Sequence, residues 1–154
     1  MSVISKQNVL DLIELGRLNV DPFDRDMFGP GGILTLTLSN RLYLPKHLPE
    51  IDPRKPLEEN FDSAEIGADG YPLSPGAFAL FTTAERLTLG FDVICLLSTH
   101  PALAKAGLDL AQTSTLVGPG SDRCLIIESS NRGPSAVRLF AGMKAVKAVF
   151  MRVE

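Results

Sequence analysis

In this 154-residue chain the side chains whose setting suggests chemistry are Glu128, Lys105 and His100, and they are scattered along the sequence. Glu128 closes the run Arg123-Cys124-Leu125-Ile126-Ile127-Glu128, which has the alternation of a strand. Leu125 and Ile127 then face one way and Ile126 and Glu128 the other, so the carboxylate can project into a cleft. A carboxylate there can act as general acid and base, or it can sit half-buried against an arginine. Lys105 brings a cation to the run H-P-A-L-A-K-A-G-L (100 to 108), without the bidentate fork of an arginine. Taken by itself it reads as a solvated lysine on a helix. His100 opens the same run and can titrate near neutral pH, although the ordinary role of a lone histidine at a helix start is a cap or a surface residue. A catalytic zinc site of the Cys-rich type needs a Cys-x-x-Cys pair, a further His or Cys and a nearby Glu. This chain offers Cys95 and Cys124, 29 residues apart, with His47 and His100, and no metal site is expected.

The elements that must position these residues follow from periodicity. Residues 5 to 16 predict a short amphipathic helix, with Ser5 as N-cap, Val9, Leu12 and Ile13 on its apolar face and Gly16 as terminator. The segment I-L-T-L-T-L-S-N-R-L-Y-L (33 to 44) alternates strictly and predicts a long strand with one buried face. Between Pro45 and Gly76 lie six prolines, seven acidic and three basic residues. That stretch carries −4 against +1 for the remainder, and it predicts a surface excursion. Short strands are expected at 78 to 82, 86 to 89, 93 to 97, 123 to 128, 136 to 140 and 145 to 151, separated by Gly and Pro. One further short helix is expected at 101 to 106, with Pro101 at its first position, Thr99 or His100 as cap and Gly107 as stop. The whole is a mainly β chain, a β-sandwich or distorted barrel with an N-terminal helix and one short internal helix, in a single domain over residues 1 to 154.

Composition narrows the partners. Fifteen basic and eighteen acidic residues give a net charge of −3, so no general attraction to nucleic acid or to an anionic membrane is expected. Both cysteines sit in apolar runs, which predicts buried free thiols and a reducing, cytoplasmic setting. No run reaches the roughly 18 apolar residues of a membrane helix, and no N-terminal leader is visible.

Five pieces, in order, resemble the dCTP deaminases of the dUTPase-like superfamily. The opening I-S-K-Q-N-V-L-D-L-I-E-L-G-R-L-N-V-D-P-F is similar to the family's helix followed by G-x-L-x-I-x-P-F. S-P-G-A-F-A-L-F-T-T-A-E-R-L-T-L (74 to 89) resembles P-G-x-x-x-L-x-x-T-x-E-x-x-x-L. D-V-I-C-L-L-S-T-H-P-A-L-A-K-A-G-L (92 to 108) stands where the family has R-S-S-L-A-R-L-G-L, and V-G-P-G (117 to 120) and L-I-I-E-S-S-N (125 to 131) follow. The segment 130 to 150 resembles N-x-G-x-x-P-I-x-L-x-x-G-M-R-I-x-Q-L-V-F. The likeness covers nearly the whole chain and is weakest between 45 and 72. It implies a jelly-roll-like fold, a homotrimer and nucleotide sites between subunits. It also implies a metal-free chemistry in which a glutamate, here Glu128, handles protons, with a serine and an arginine ordering water and substrate.

Against that pattern the chemistry is depleted. The two serines read Pro101 and Ala102, the arginines read His100 and Lys105, and the aspartate before Pro-Gly reads Gly118. Ile33 and Thr35 fall where the early strand has Ser and Asp, and the late Gln reads Lys147. The family's C-terminal tail folds over the triphosphate, whereas this sequence runs four residues past Phe150, so no closing lid is expected. A hydrogen bond to a charged group contributes about 1.5 to 3 kcal/mol, so losing three removes roughly 4 to 9 kcal/mol, enough to take micromolar binding to millimolar or weaker.

The expected function is that of a dCTP deaminase-like protein with defective catalysis, a non-catalytic trimer in a regulatory or scaffold role. The alternative is an active enzyme, a dCTP deaminase or dUTP pyrophosphatase using Glu128, with Lys105 and His100 binding substrate. A mixed trimer with an intact paralogue is a further form of it. No cofactor is expected, apart from Mg²⁺ carried in with a nucleoside triphosphate if one binds.

Overall fold

Strand β3 (Leu34–Pro45) organises the molecule, because its two halves pair with different neighbours. A computed structural model describes residues 2–110, 112 and 115–153. In chain order the elements are β1 (Ser2–Val3), α1 (Lys6–Glu14), β2 (Leu18–Asp21), β3, α2 (Leu57–Asn60), β4 (Phe61–Glu65), β5 (Tyr71–Leu73), β6 (Phe78–Leu89) and β7 (Val93–Thr99). There follow α3 (Pro101–Lys105), β8 (Leu108–Leu110), β9 (Leu116–Val117), β10 (Asp122–Asn131), β11 (Val137–Leu139) and β12 (Lys144–Arg152).

Residues 34 to 37 of β3 pair with β12, whereas Leu38, Leu42 and Tyr43 pair with Thr83, Phe81 and Leu80 of β6. The sheet β8-β10-β6-β3-β12-β7-β9 therefore curls back on itself, with every pairing antiparallel. Strands β1, β2 and β4 add to β12, β6 and β3, and β5 with β11 form a separate ribbon. The expected distorted jelly-roll-like barrel is what results.

The alternation read in β3 sets the core. Leu34, Leu36, Leu38 and Leu42 are fully buried, and they join Phe81, Leu87, Ile127 and Phe150 in one apolar cluster. Helix α1 closes one end of it, with Val9 and Leu12 buried and the Ser5 hydroxyl accepting the Asn8 N–H as foreseen.

Several expectations need correction. Residues 78 to 82 and 86 to 89 are one continuous strand, since Thr83, Ala84 and Glu85 between them are carried within β6. The segment 45 to 76 is not simply a surface loop. Its portion from 47 to 59 is mostly exposed, but Phe61–Glu65 pairs with β3, Tyr71–Leu73 pairs with β11, and Asn60, Ile66 and Leu73 are buried. A short segment needs few apolar residues to add to an existing edge, so its composition hid both strands. Helix α2 in the same segment is a third helix where two were expected. Cys95 is buried as foreseen, but Cys124 is exposed.

Candidate functional site

The crevice that holds Glu128 opens between β10 and the edge formed by β7 and β9. Its volume is about 340 Å³, and Glu128, Arg123, Cys124, Ile126, Leu97 and Leu116 line it. Strand alternation places these groups. Leu125 and Ile127 point into the core at 3% and 1% exposure, and Ile126 and Glu128 take the opposite face. Cys124 shares the phase of Ile126 and Glu128 and lines the crevice with them, while Arg123 and Leu125 reach it from the other phase. That parity was visible in the sequence, and the apolar residues around the cysteine obscured it. Arg123 was also missed as a lining residue.

His100 and Lys105 are not among the described residues lining the crevice. Both belong to the α3 end of the sheet. The His100 Nδ1 accepts the Ala102 N–H at 3.3 Å, so of the two caps considered the histidine is the one used. Burial, with help from the charges of Lys147 and Lys144, pushes its pKa below the usual histidine value and favours the neutral ring that this bond requires. Lys105 is exposed in the last turn of α3, where a cation complements the helix carbonyls.

The start of α3 has no backbone donor left for an anion. Pro101 has no N–H, the Ala102 N–H goes to the His100 ring, and those of Leu103 and Ala104 both go to the His100 carbonyl at 3.0 and 3.1 Å. Around Gly118 there is open space, with no heavy atom within 4 Å of where a Cβ would lie. Among the described residues no three His, Cys, Asp or Glu side chains gather in a way that could hold a metal ion.

The two thiols differ sharply. Burial pushes the Cys95 thiol from 9.0 up to about 12, against a weaker opposing contribution from a backbone hydrogen bond. A thiol reagent at pH 8 is therefore expected to modify one cysteine per chain quickly, with the second reacting only in denaturant. Two equally fast thiols in the native protein would contradict the placement. Because an unfolded Cys95 would ionise from about pH 9 and the folded one only near 12, its stabilising contribution is lost as pH rises through that window.

The fold and the crevice define a curled antiparallel β-barrel protein with Glu128 set beside Arg123, Cys124 and apolar side chains. A family model described as dCTP deaminase-like matches residues 3–153, and the chain belongs to that family. The dUMP-forming dCTP deaminase of Methanoculleus marisnigri is 30% identical over 146 residues, a match covering 94% of this chain and 77% of the relative. That of Beutenbergia cavernae is 30% identical over 153 residues, covering 98% and 80%. Among solved structures, the 2'-deoxycytidine 5'-triphosphate deaminase from Agrobacterium tumefaciens superposes with a TM-score of 0.77 at 17% identity. That match covers 99% of this chain and 48% of the other, so the chain spans about half of that protein and shares its fold. No described helix is long and apolar enough to cross a membrane.

Proposed function

We propose that this chain is a dCTP deaminase-like protein that keeps the family scaffold without its deamination chemistry, and that it acts as a non-catalytic, cytoplasmic homotrimer in a regulatory or scaffold role in nucleotide metabolism. The observation that carries this reading is the α3 start. Every amide that would face a phosphate there is missing or committed within the chain itself, and Pro101 and Ala102 contribute no hydroxyl. Glu128 is retained in the crevice, but the two serine positions that the resemblance implies read Pro101 and Ala102, so the hydroxyls that would order water and substrate are missing from the sequence. The exposed Leu96, Leu116 and Ile126 beside the crevice, at 39%, 57% and 44% exposure, support a surface covered by further copies of the chain.

The test is an assay of the purified chain beside a Glu128→Gln variant, with dCTP and dUTP at millimolar concentration and Mg²⁺ present. Loss of general acid and base help alone costs about 10²- to 10⁴-fold, so background-level ammonia and pyrophosphate release from both proteins is expected. Light scattering on the same sample is expected to give three copies. Clear turnover that vanishes in the variant would overturn the reading and make Glu128 a working general base.

A further inference from the structure

Two polar side chains that the candidate site does not use, Thr83 and Glu85, are buried at 1% and 4% exposure in the middle of β6. The pairing of β6 with β10 is irregular at that point. Cys124 pairs with Arg86 and Ile126 with Thr82, so residues 83 to 85 of β6 stand opposite Leu125 alone. Extra residues on one strand break the regular exchange of backbone hydrogen bonds, leaving N–H and C=O groups that must find other partners. The Thr83 hydroxyl meets both needs. It accepts the Leu125 N–H at 2.9 Å and donates to the Glu85 carbonyl at 2.8 Å. The Glu85 carboxylate turns to the other neighbour and accepts the Thr37 N–H at 2.9 Å and the Thr37 hydroxyl at 2.7 Å. One irregularity thus joins β10, β6 and β3 through side chains.

The irregularity also fixes what the crevice contains. Beyond it, Ile126 stands opposite Thr82 and Glu128 opposite Leu80. Without the two extra residues of β6, β10 would slide by two positions, which keeps every side chain on its own face but shifts Glu128 about 7 Å along the sheet. Cys124 and Ile126, which flank Leu125, are shared between the crevice and a second cavity of about 370 Å³ that Thr83 and Ala84 also line. We infer that Thr83 is a positioning residue: its hydroxyl locks the offset of β6 against β10 and so determines where Glu128 sits in the crevice, while the Glu85 carboxylate ties the same irregularity to β3.

This goes beyond the function proposed above and does not depend on it, since the test reads strand pairing and not turnover. The test compares the wild-type chain with Thr83→Val, Thr83→Ser and Glu85→Gln by amide hydrogen exchange and cross-strand NOEs. Thr83→Val keeps the shape and removes the hydroxyl. The expected result is at least a 100-fold faster exchange of the Leu125 amide and loss of the Ile126–Thr82 and Glu128–Leu80 contacts. Thr83→Ser is expected to restore both, and Glu85→Gln to loosen the Thr37 amide while leaving the β10 offset intact. A folded Thr83→Val protein with wild-type contacts and Leu125 protection would overturn the inference. If Thr83→Val fails to fold, Thr83→Ser decides the matter: retention of both signals supports the hydroxyl lock, and their loss in a folded protein overturns it.

Discussion

Replacing Phe81 with alanine is expected to cost about 3 to 5 kcal/mol, the usual range for truncating a buried aromatic residue. Phe81 is fully buried in the first half of β6, opposite Leu42 of β3 on one side and Ile127 of β10 on the other. A cavity opened there lies between the strands that make the most extensive part of the sheet, where relaxation from either side would disturb the pairing itself. Domains of this size are stable by about 5 to 15 kcal/mol, so a large share of the total is at stake. At roughly 2 to 4 °C per kcal/mol the melting temperature should fall by about 6 to 20 °C. Thermal unfolding followed by circular dichroism measures this directly. A drop of only a degree or two would mean that Phe81 does not hold the centre of the core.

Phe81 also illustrates which parts of the fold were legible in the sequence. Its run, F-A-L-F-T, reads as a strand because its apolar residues are consecutive and turn residues bound it, and the same logic placed β7, β10 and β12. Strict alternation gave β3 and its buried leucines, and the Ser5 cap and Gly16 stop gave α1, since both signals are local. Strands β2, β8 and β9, of two to four residues, were not legible. So short a segment is extended because a neighbour offers it a hydrogen-bonding edge, and that edge is a tertiary fact. Thr83-Ala84-Glu85 broke the apolar pattern and suggested two strands, whereas buried partners from β10 and β3 allow one strand to continue through three such residues.

The candidate site divides in the same way. The face that Glu128 occupies followed from parity along β10, and so, in retrospect, did that of Cys124. The separation of His100 and Lys105 from the crevice could not be read from spacing. It rests on tertiary pairing: the crevice is lined from β7, β9 and β10, whereas His100 and Lys105 lie at the two ends of α3, past the end of β7. The charges of Lys144 and Lys147 that act on His100 come from β12, some forty residues further along the chain, and only the β7–β12 pairing brings them close.

Asn131 carries the second large prediction. It belongs to the S-N-R-G run that contributed to the family resemblance, and the structure gives that run a mechanical role. The side chain is 1% exposed, and its Nδ2 donates to the carbonyls of Leu73 and Ser135, both at 2.8 Å. Its Oδ1 accepts the Gly133 N–H at 2.9 Å. A single amide thus fastens the end of β10 to β5 and closes the turn that leads to β11. The glycine at 133 suits close packing, because a Cβ there would stand 3.1 Å from the Ala106 carbonyl oxygen, 3.3 Å from the Asn131 Oδ1 and 3.4 Å from the Gly107 Cα, and these neighbours would have to give. Asn131→Ala would leave two carbonyls and one N–H without these partners, and at about 1 to 3 kcal/mol for each buried group so stranded the expected loss is roughly 3 kcal/mol or more. Asn131→Asp should be at least as damaging at neutral pH, since its carboxylate would confront two carbonyl oxygens with no hydrogen to offer. The loss should also be local before it is global. In hydrogen exchange the amides of β5 and β11 are expected to lose protection first, while those around Cys95 in β7 hold until the whole domain opens. Uniform loss of protection across β5, β11 and β7 in Asn131→Ala, or a destabilisation below about 1 kcal/mol, would show that the ribbon is held by its own packing and not by this amide.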